Sequence, residues 1–150
     1  MFSRRACVSL CVAGLLSTIV PLAGQGGEKY TARLSAIPIA GPNDRQHVTG
    51  KGSFTASLTG NKLTFSGQFE GLPAAATVAR LHRGIAKGAR GPSFADLTVT
   101  KAATGTVSGA IDLSPVDVEN LKAGRLYVQL HSERGLPKED GSTLWGWLLK

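Results

Sequence analysis

Leu126-Tyr127-Val128-Gln129-Leu130-His131, followed beyond a polar loop from Ser132 to Ser142 by Leu144-Trp145-Gly146-Trp147-Leu148, is the most legible stretch of this chain. Side chains alternate across a strand with a period of two. Leu126, Val128 and Leu130 therefore share one face, and Tyr127, Gln129 and His131 the other. In the return strand Leu144, Gly146 and Leu148 point inward, which leaves Trp145 and Trp147 outside. Counting back from Leu130 opposite Leu144 sets His131 against Thr143, Gln129 against Trp145 and Tyr127 against Trp147. The same alternation runs upstream. It appears in Tyr30, Ala32 and Leu34, and in Phe54, Ala56 and Leu58. Beyond the turn at Gly60-Asn61 it continues in Leu63, Phe65 and Phe69, with Gly67 on their face. Thr77 to Arg83, Ser93 to Val99 and Thr106 to Ser114 supply further strands. Gly52 and Gly67 mark places where something packs close to the backbone.

One helix interrupts the strands. Ser114 suits an N-cap, Pro115 the first helical position, Asp117 a capping acid and Gly124 the stop. About two turns of helix do not hold alone, so this is a connector over one end of the fold. Seven or eight short strands with regular turn signals predict an antiparallel sandwich or barrel.

The amino terminus reads differently. Arg4 and Arg5 precede an apolar run from Ala6 to Ala23, and Gly24 and Gln25 follow it. A positive start, an apolar stretch and small residues make a secretory signal. We expect residues 1–24 to be removed, residues 25–150 to form one domain, and the product to be secreted or periplasmic with no membrane span left. The arginine pair also fits a twin-arginine signal. Cys7 and Cys11, the only cysteines, fall in this segment, so the domain is expected to stand without disulfides or thiolate ligands. Arg4 and Arg5 supply two of the formal charge of +7, leaving +5 on the rest. Such a domain is drawn to anionic surfaces. No nucleic-acid-binding signature accompanies the charge.

Three pieces of sequence, in order, resemble the chordin-type (CHRD) domain family. The first runs from Leu63-Thr64-Phe65 through Gly71-Leu72 to Ala79-Arg80-Leu81-His82-Arg83-Gly84 and Gly91-Pro92. The second is Gly105-Thr106-Val107-Ser108-Gly109. The third is Leu126 to Ser132 with the closing Leu144 to Leu148, and Gly50 to Phe54 also fits. The resemblance implies a secreted, antiparallel β-sandwich, immunoglobulin-like or superoxide-dismutase-like, without an established general activity. Two departures stand out. Arg80 occupies the first position of a His-x-His pair, so that only His82 remains. Thr143, Trp145 and Trp147 stand where the last strand usually carries Glu, Arg and Gln.

His82 and His131 are the candidate ligands for copper or zinc, since neutral imidazole suits either ion. The resemblance implies that they meet at one end of the sandwich. Arg80 on the same face opposes a cation, and His47 is a third donor only in principle. Arg80, Arg83, Lys87 and Arg90, interleaved with Gly84, Gly88 and Gly91, form a basic segment that can hold an anionic ligand or lie solvated. Tyr127, Trp145 and Trp147 make an aromatic ridge, which is either a contact surface or a second small core under the helix or under Tyr30. Glu139-Asp140 reads as a solvated loop. No nucleophile elbow or zinc-hydrolase spacing is present. The reading is thus a non-enzymatic binding or structural module, whose partner is an unknown protein or an anionic surface polymer. The alternative is a copper- or zinc-binding sandwich engaged in metal or oxidant handling.

Overall fold

The computed structural model describes residues 26–39 and 41–150. The segment read as a signal, with Cys7 and Cys11, lies outside the described residues. Eight strands follow one another: β1 (Glu28–Ala36), β2 (Lys51–Thr59), β3 (Lys62–Glu70), β4 (Ala76–Arg83), β5 (Ser93–Val99), β6 (Gly105–Asp112), β7 (Leu126–Leu136) and β8 (Ser142–Trp147). The helix α1 (Pro115–Lys122) joins β6 to β7. Short 3-10 turns occupy Pro42–His47 and Pro137–Glu139.

All pairings are antiparallel, and they close into a barrel in the order β1-β2-β3-β6-β5-β4-β7-β8. The expected open sandwich is corrected on this point. Its two sheets are joined along both edges, by Thr98–Ser108 and Val99–Val107 between β5 and β6, and by Ser35–Trp145 and Ala36–Leu144 between β1 and β8. These seams are short, and an isolated pair, Thr31 with Leu149, extends the second. Closure through these seams shortens the open strand edges, which is one way small β folds limit edge-to-edge association.

The barrel is filled by the residues that alternation selected. Tyr30, Leu34, Phe54, Leu63, Phe65, Phe69, Leu81, Val128, Leu130 and Leu144 form one continuous core. Gly67 lies opposite Phe54 in the β2–β3 ladder. A Cβ there would sit 2.5 Å from the Phe54 ring, so the glycine makes room for the aromatic. Helix α1 starts as its sequence dictates. Ser114 Oγ accepts the Asp117 amide at 3.2 Å, and Gly124, at φ +67°, ends it. Over β2 burial alternates strictly, whereas Leu126 to Ser132 of β7 are buried at every position. The outer face of the β4–β7–β8 half is therefore covered, and the cover comes from the connections.

Candidate functional site

The covered face is a second layer, mostly polar. Leu130 pairs with Leu144, Gln129 with Trp145 and Tyr127 with Trp147, as counting back predicts. His131 pairs with Ser142 instead of Thr143, because the ladder shifts register between Leu130 and His131. The stretch expected as a loop is strand as far as Leu136. Inside this layer the Gln129 amide donates to Ser142 Oγ, Ser132 and Thr143 share a hydroxyl hydrogen bond of 2.9 Å, and Ser142 donates to the Glu139 carbonyl. Ser132, Ser142 and Thr143 carry no periodic or motif signal that would mark them for burial.

The aromatic residues sit beside it. Tyr127, 1% exposed, stacks on His82 with ring centroids 4.8 Å apart and lies 4.5 Å from Trp147. Its hydroxyl reaches the backbone of Gly91, donating to the carbonyl at 3.1 Å. Trp147 packs against Gly84, where a Cβ would come within 2.7 Å of the indole. The cover over Tyr127 and Trp147 is thus the glycine-rich connection 84–92, neither α1 nor Tyr30, which is itself in the barrel core. Trp145 and Trp147 keep part of their surface in water. Trp145 packs on a small cluster of Ile37, Val48 and Leu136, and the Arg90 guanidinium lies 5.3 Å above its ring.

The three histidines share one habit: each imidazole Nδ1 faces a backbone carbonyl across the junction between a strand and a covering segment, His47 reaching from its turn to β7 and the other two from their strands to the cover. His47 meets Arg134 at 2.6 Å, His82 meets Gly91 at 3.0 Å, and His131 meets Asp140 at 2.8 Å. A carbonyl only accepts, so Nδ1 carries a proton, and in the neutral rings of His82 and His131 Nε2 is a bare lone pair. For His82 and His131 that Nε2 is buried with no partner. Burial pushes both imidazoles below their ordinary value, and the nearby Arg80 adds to the effect.

His82 and His131 lie on one face of neighbouring strands, offset along it, and the charge of His131 bears on His82. Antiparallel pairing sets His82 opposite Tyr127 and His131 opposite Val78, with Arg80 and Gln129 between them. Four residue steps along a strand is about 13 Å between Cα positions. No group of three His, Cys, Asp or Glu placed to hold a metal occurs among the described residues. Two nitrogens with an arginine between them fall short of the three or four ligands that hold zinc.

The basic segment is dispersed as well. Arg80 is bound by Asp140 at 2.7 Å and Asp96 at 3.4 Å. Arg83 is bound by the buried Asp117 at 2.5 Å and stacks 3.9 Å over Phe94. Arg90 is bound by Glu139 at 2.6 Å. Of the four cations, Lys87 alone makes no ion pair among the described residues. Glu139 and Asp140 are therefore structural acids that fasten the β7–β8 connection to β4 and to the 84–92 segment. The Arg83 guanidinium holds the Asp117 carboxyl below the usual carboxylate range.

An open cleft of about 600 Å³ adjoins this layer, lined by Ile39, His47, Arg90, Leu136 and Glu139 among others. Its walls are the two 3-10 turns. Sequence reading missed it, because those walls lie some ninety residues apart in the chain.

The CHRD domain family profile matches residues 30–138, well over half of the chain. The chain belongs to the CHRD domain family. Comparison with curated proteins and with solved structures gives no match. The matched stretch ends before β8, so the strand that closes this CHRD domain, and both tryptophans, lie beyond it. At family level membership supports a non-enzymatic binding or structural module. No helix among the described residues is long and apolar enough to cross a membrane.

Proposed function

We propose that this CHRD domain is an exported binding module that takes a segment of acidic polysaccharide into the cleft beside Trp145. The observation that carries the reading is the partly exposed Trp145, which sits under the Arg90 guanidinium and packs on the Leu136 cluster, both residues being part of the lining of an open cleft. An aromatic face offers a sugar ring a flat apolar contact, and an arginine fork offers a carboxylate or sulfate two parallel hydrogen bonds. Arg90 is held by Glu139 without a ligand, so an acidic group competes for it. Arg45 and Arg134, exposed beside His47, make no ion pair among the described residues and add to the local positive field.

Titration with oligogalacturonate, followed by tryptophan fluorescence, tests this reading. Saturable binding is expected, weakened about tenfold by Arg90→Ala and by Trp145→Ala, and lost at high salt. Absence of binding, or affinity indifferent to both substitutions, would sink it. The signal reading of residues 1–24 supports an exported product; N-terminal sequencing between Gly24 and Glu28 checks it.

The bare Nε2 atoms of His82 and His131 favour a second reading, a copper or zinc site. Arg80 stands against it. Adding either ion to metal-free protein discriminates, since a stoichiometric site that displaces neither loop supports metal binding and an absence of uptake removes it.

A further inference from the structure

Three of the four large apolar side chains exposed among the described residues gather around one end of the barrel: Ile85 (81% exposed), Val116 (68%) and Leu149 (36%). Contacts between their neighbours bring them together. The Gly84 amide, one residue before Ile85, donates to the Arg125 carbonyl at 2.7 Å. Arg83 is tied to Asp117, the residue after Val116. Leu149 and the stem of Lys87 both pack over Gly124. Ile85 projects from the β4–β5 connection, just before the turn that Ala86 and Ala89 close around Lys87-Gly88, and Val116 from the start of α1, so these are protrusions and not a groove.

Cations surround them. Lys87, Lys122 and Arg125 make no ion pair among the described residues. Of the carboxylates here, Asp117 is taken by Arg83 and Glu28 by Lys150 at 2.6 Å. Glu119, one turn along from Val116, stands as an opposing charge. β1 also enters the barrel at this end, beside Lys150, and in the sequence the apolar run Ala6 to Ala23 is separated from it only by Gly24 to Gly27.

The geometry points to an interfacial surface: this end of the barrel rests on an anionic lipid bilayer, with Ile85, Val116 and Leu149 in the headgroup region and Lys87, Lys122 and Arg125 on the lipid phosphates. Apolar tips within a basic ring fit a bilayer better than a protein partner. A protein would have to be concave to meet them, whereas a lipid surface yields around each one. Apolar insertion and charge attraction add in such binding. The surface is separate from the Trp145 cleft, so either reading can fail alone.

Co-sedimentation of the exported protein with vesicles, phosphatidylcholine alone or with phosphatidylglycerol at about one third, is the test. Binding to the anionic vesicles only is expected. Ile85→Asp should weaken it about tenfold, since it removes one inserted side chain and adds a repelled charge. Lys87→Glu should weaken it to a similar extent. Both positions are solvent-facing, so melting temperature should stay within a degree or two of wild type and rule out misfolding. Equal binding to neutral vesicles, or binding unmoved by both substitutions, overturns the proposal. A retained Ala6–Ala23 run would behave in that way. No sedimentation with either vesicle overturns it too.

Discussion

The two outer faces of this barrel obey opposite rules. Along the middle of β2, β3 and β6 the outward residues are short and hydroxylic. Thr55, Ser66 and Ser108 sit in one cross-strand row, all of them in water. On β7 the outward residues Tyr127, Gln129 and His131 are buried like the core residues Val128 and Leu130 between them. The covered strands are the less regular, with register shifts at Ala76/Val78, Leu81/His82 and Leu130/His131, but both halves alternate and the difference in burial arises from what lies above them. The β2–β3 hairpin turns within two residues and covers nothing. The connections 84–92 and 137–141, with the turn Pro42–His47, fold back over β4, β7 and β8 and are fastened by imidazole-to-carbonyl bonds and by Arg80–Asp140 and Arg90–Glu139 pairs. A β-barrel thus acquires a second layer without a second domain, and the cleft opens at that layer's edge.

The comparison breaks most sharply at Tyr127. Replacing it with Ala should cost about 3–5 kcal/mol in urea unfolding, as for a core aromatic; a loss under about 1 kcal/mol would mean that the outer layer is not packed. Trp147→Ala should fall between core and surface, at about 2 kcal/mol. That indole packs on Tyr127 and Gly84 and keeps only the smaller part of its surface in water.

Acid should loosen the covered face and leave the open one alone. His82 is held low by burial, and His131, Arg80 and Arg90 add to it. His131 is held low by burial and Arg80, with Asp140 and Asp96 opposing. A depressed folded value means that the unfolded chain binds the proton more readily. Stability is therefore full above the ordinary imidazole value of about 6.5 and declines as pH falls from there through the folded values. Protonation would also give Nε2 a buried hydrogen with no acceptor. Melting temperature should drop as pH falls below about 6.5, and amide exchange should quicken first in 84–92 and 137–141. In a His82→Asn, His131→Asn double variant the slope over that window should shrink; an unchanged slope would place the acid sensitivity elsewhere. The smallest effect is expected on the open face. Thr55→Ala, Ser66→Ala and Ser108→Ala should each stay within about 0.5 kcal/mol of wild type.

Much of this was legible in the sequence, and what was not shares one cause. Period-two alternation identified the buried side of β1, β2, β3 and β6 and the Tyr127–Trp147 register, because those features depend on neighbours in the chain. Ser114, Pro115 and Gly124 announced α1 for the same reason. Closure was not legible, since it rests on β1 meeting β8 at the far end of the chain. The shift at His131 was not legible either: the extra residue is Thr143 in β8, and neither it nor its partners Leu130 and His131 is a glycine or proline. The burial of Gln129, Ser142 and Thr143 depends on segments distant in sequence, as does the conversion of Glu139 and Asp140 from loop acids into arginine partners.

The most direct test of the claim that function lies on the covered side is a map of ligand contact across both faces. The exported protein, labelled with nitrogen-15, would be titrated with oligogalacturonate while its amide and indole resonances are followed. The expected result is saturable shifts at Ile39, His47, Arg90, Leu136 and the Trp145 indole, with Thr55, Ser66 and Ser108 unmoved. Shifts that gather on the threonine and serine rows, with the Trp145 indole unchanged, would contradict it.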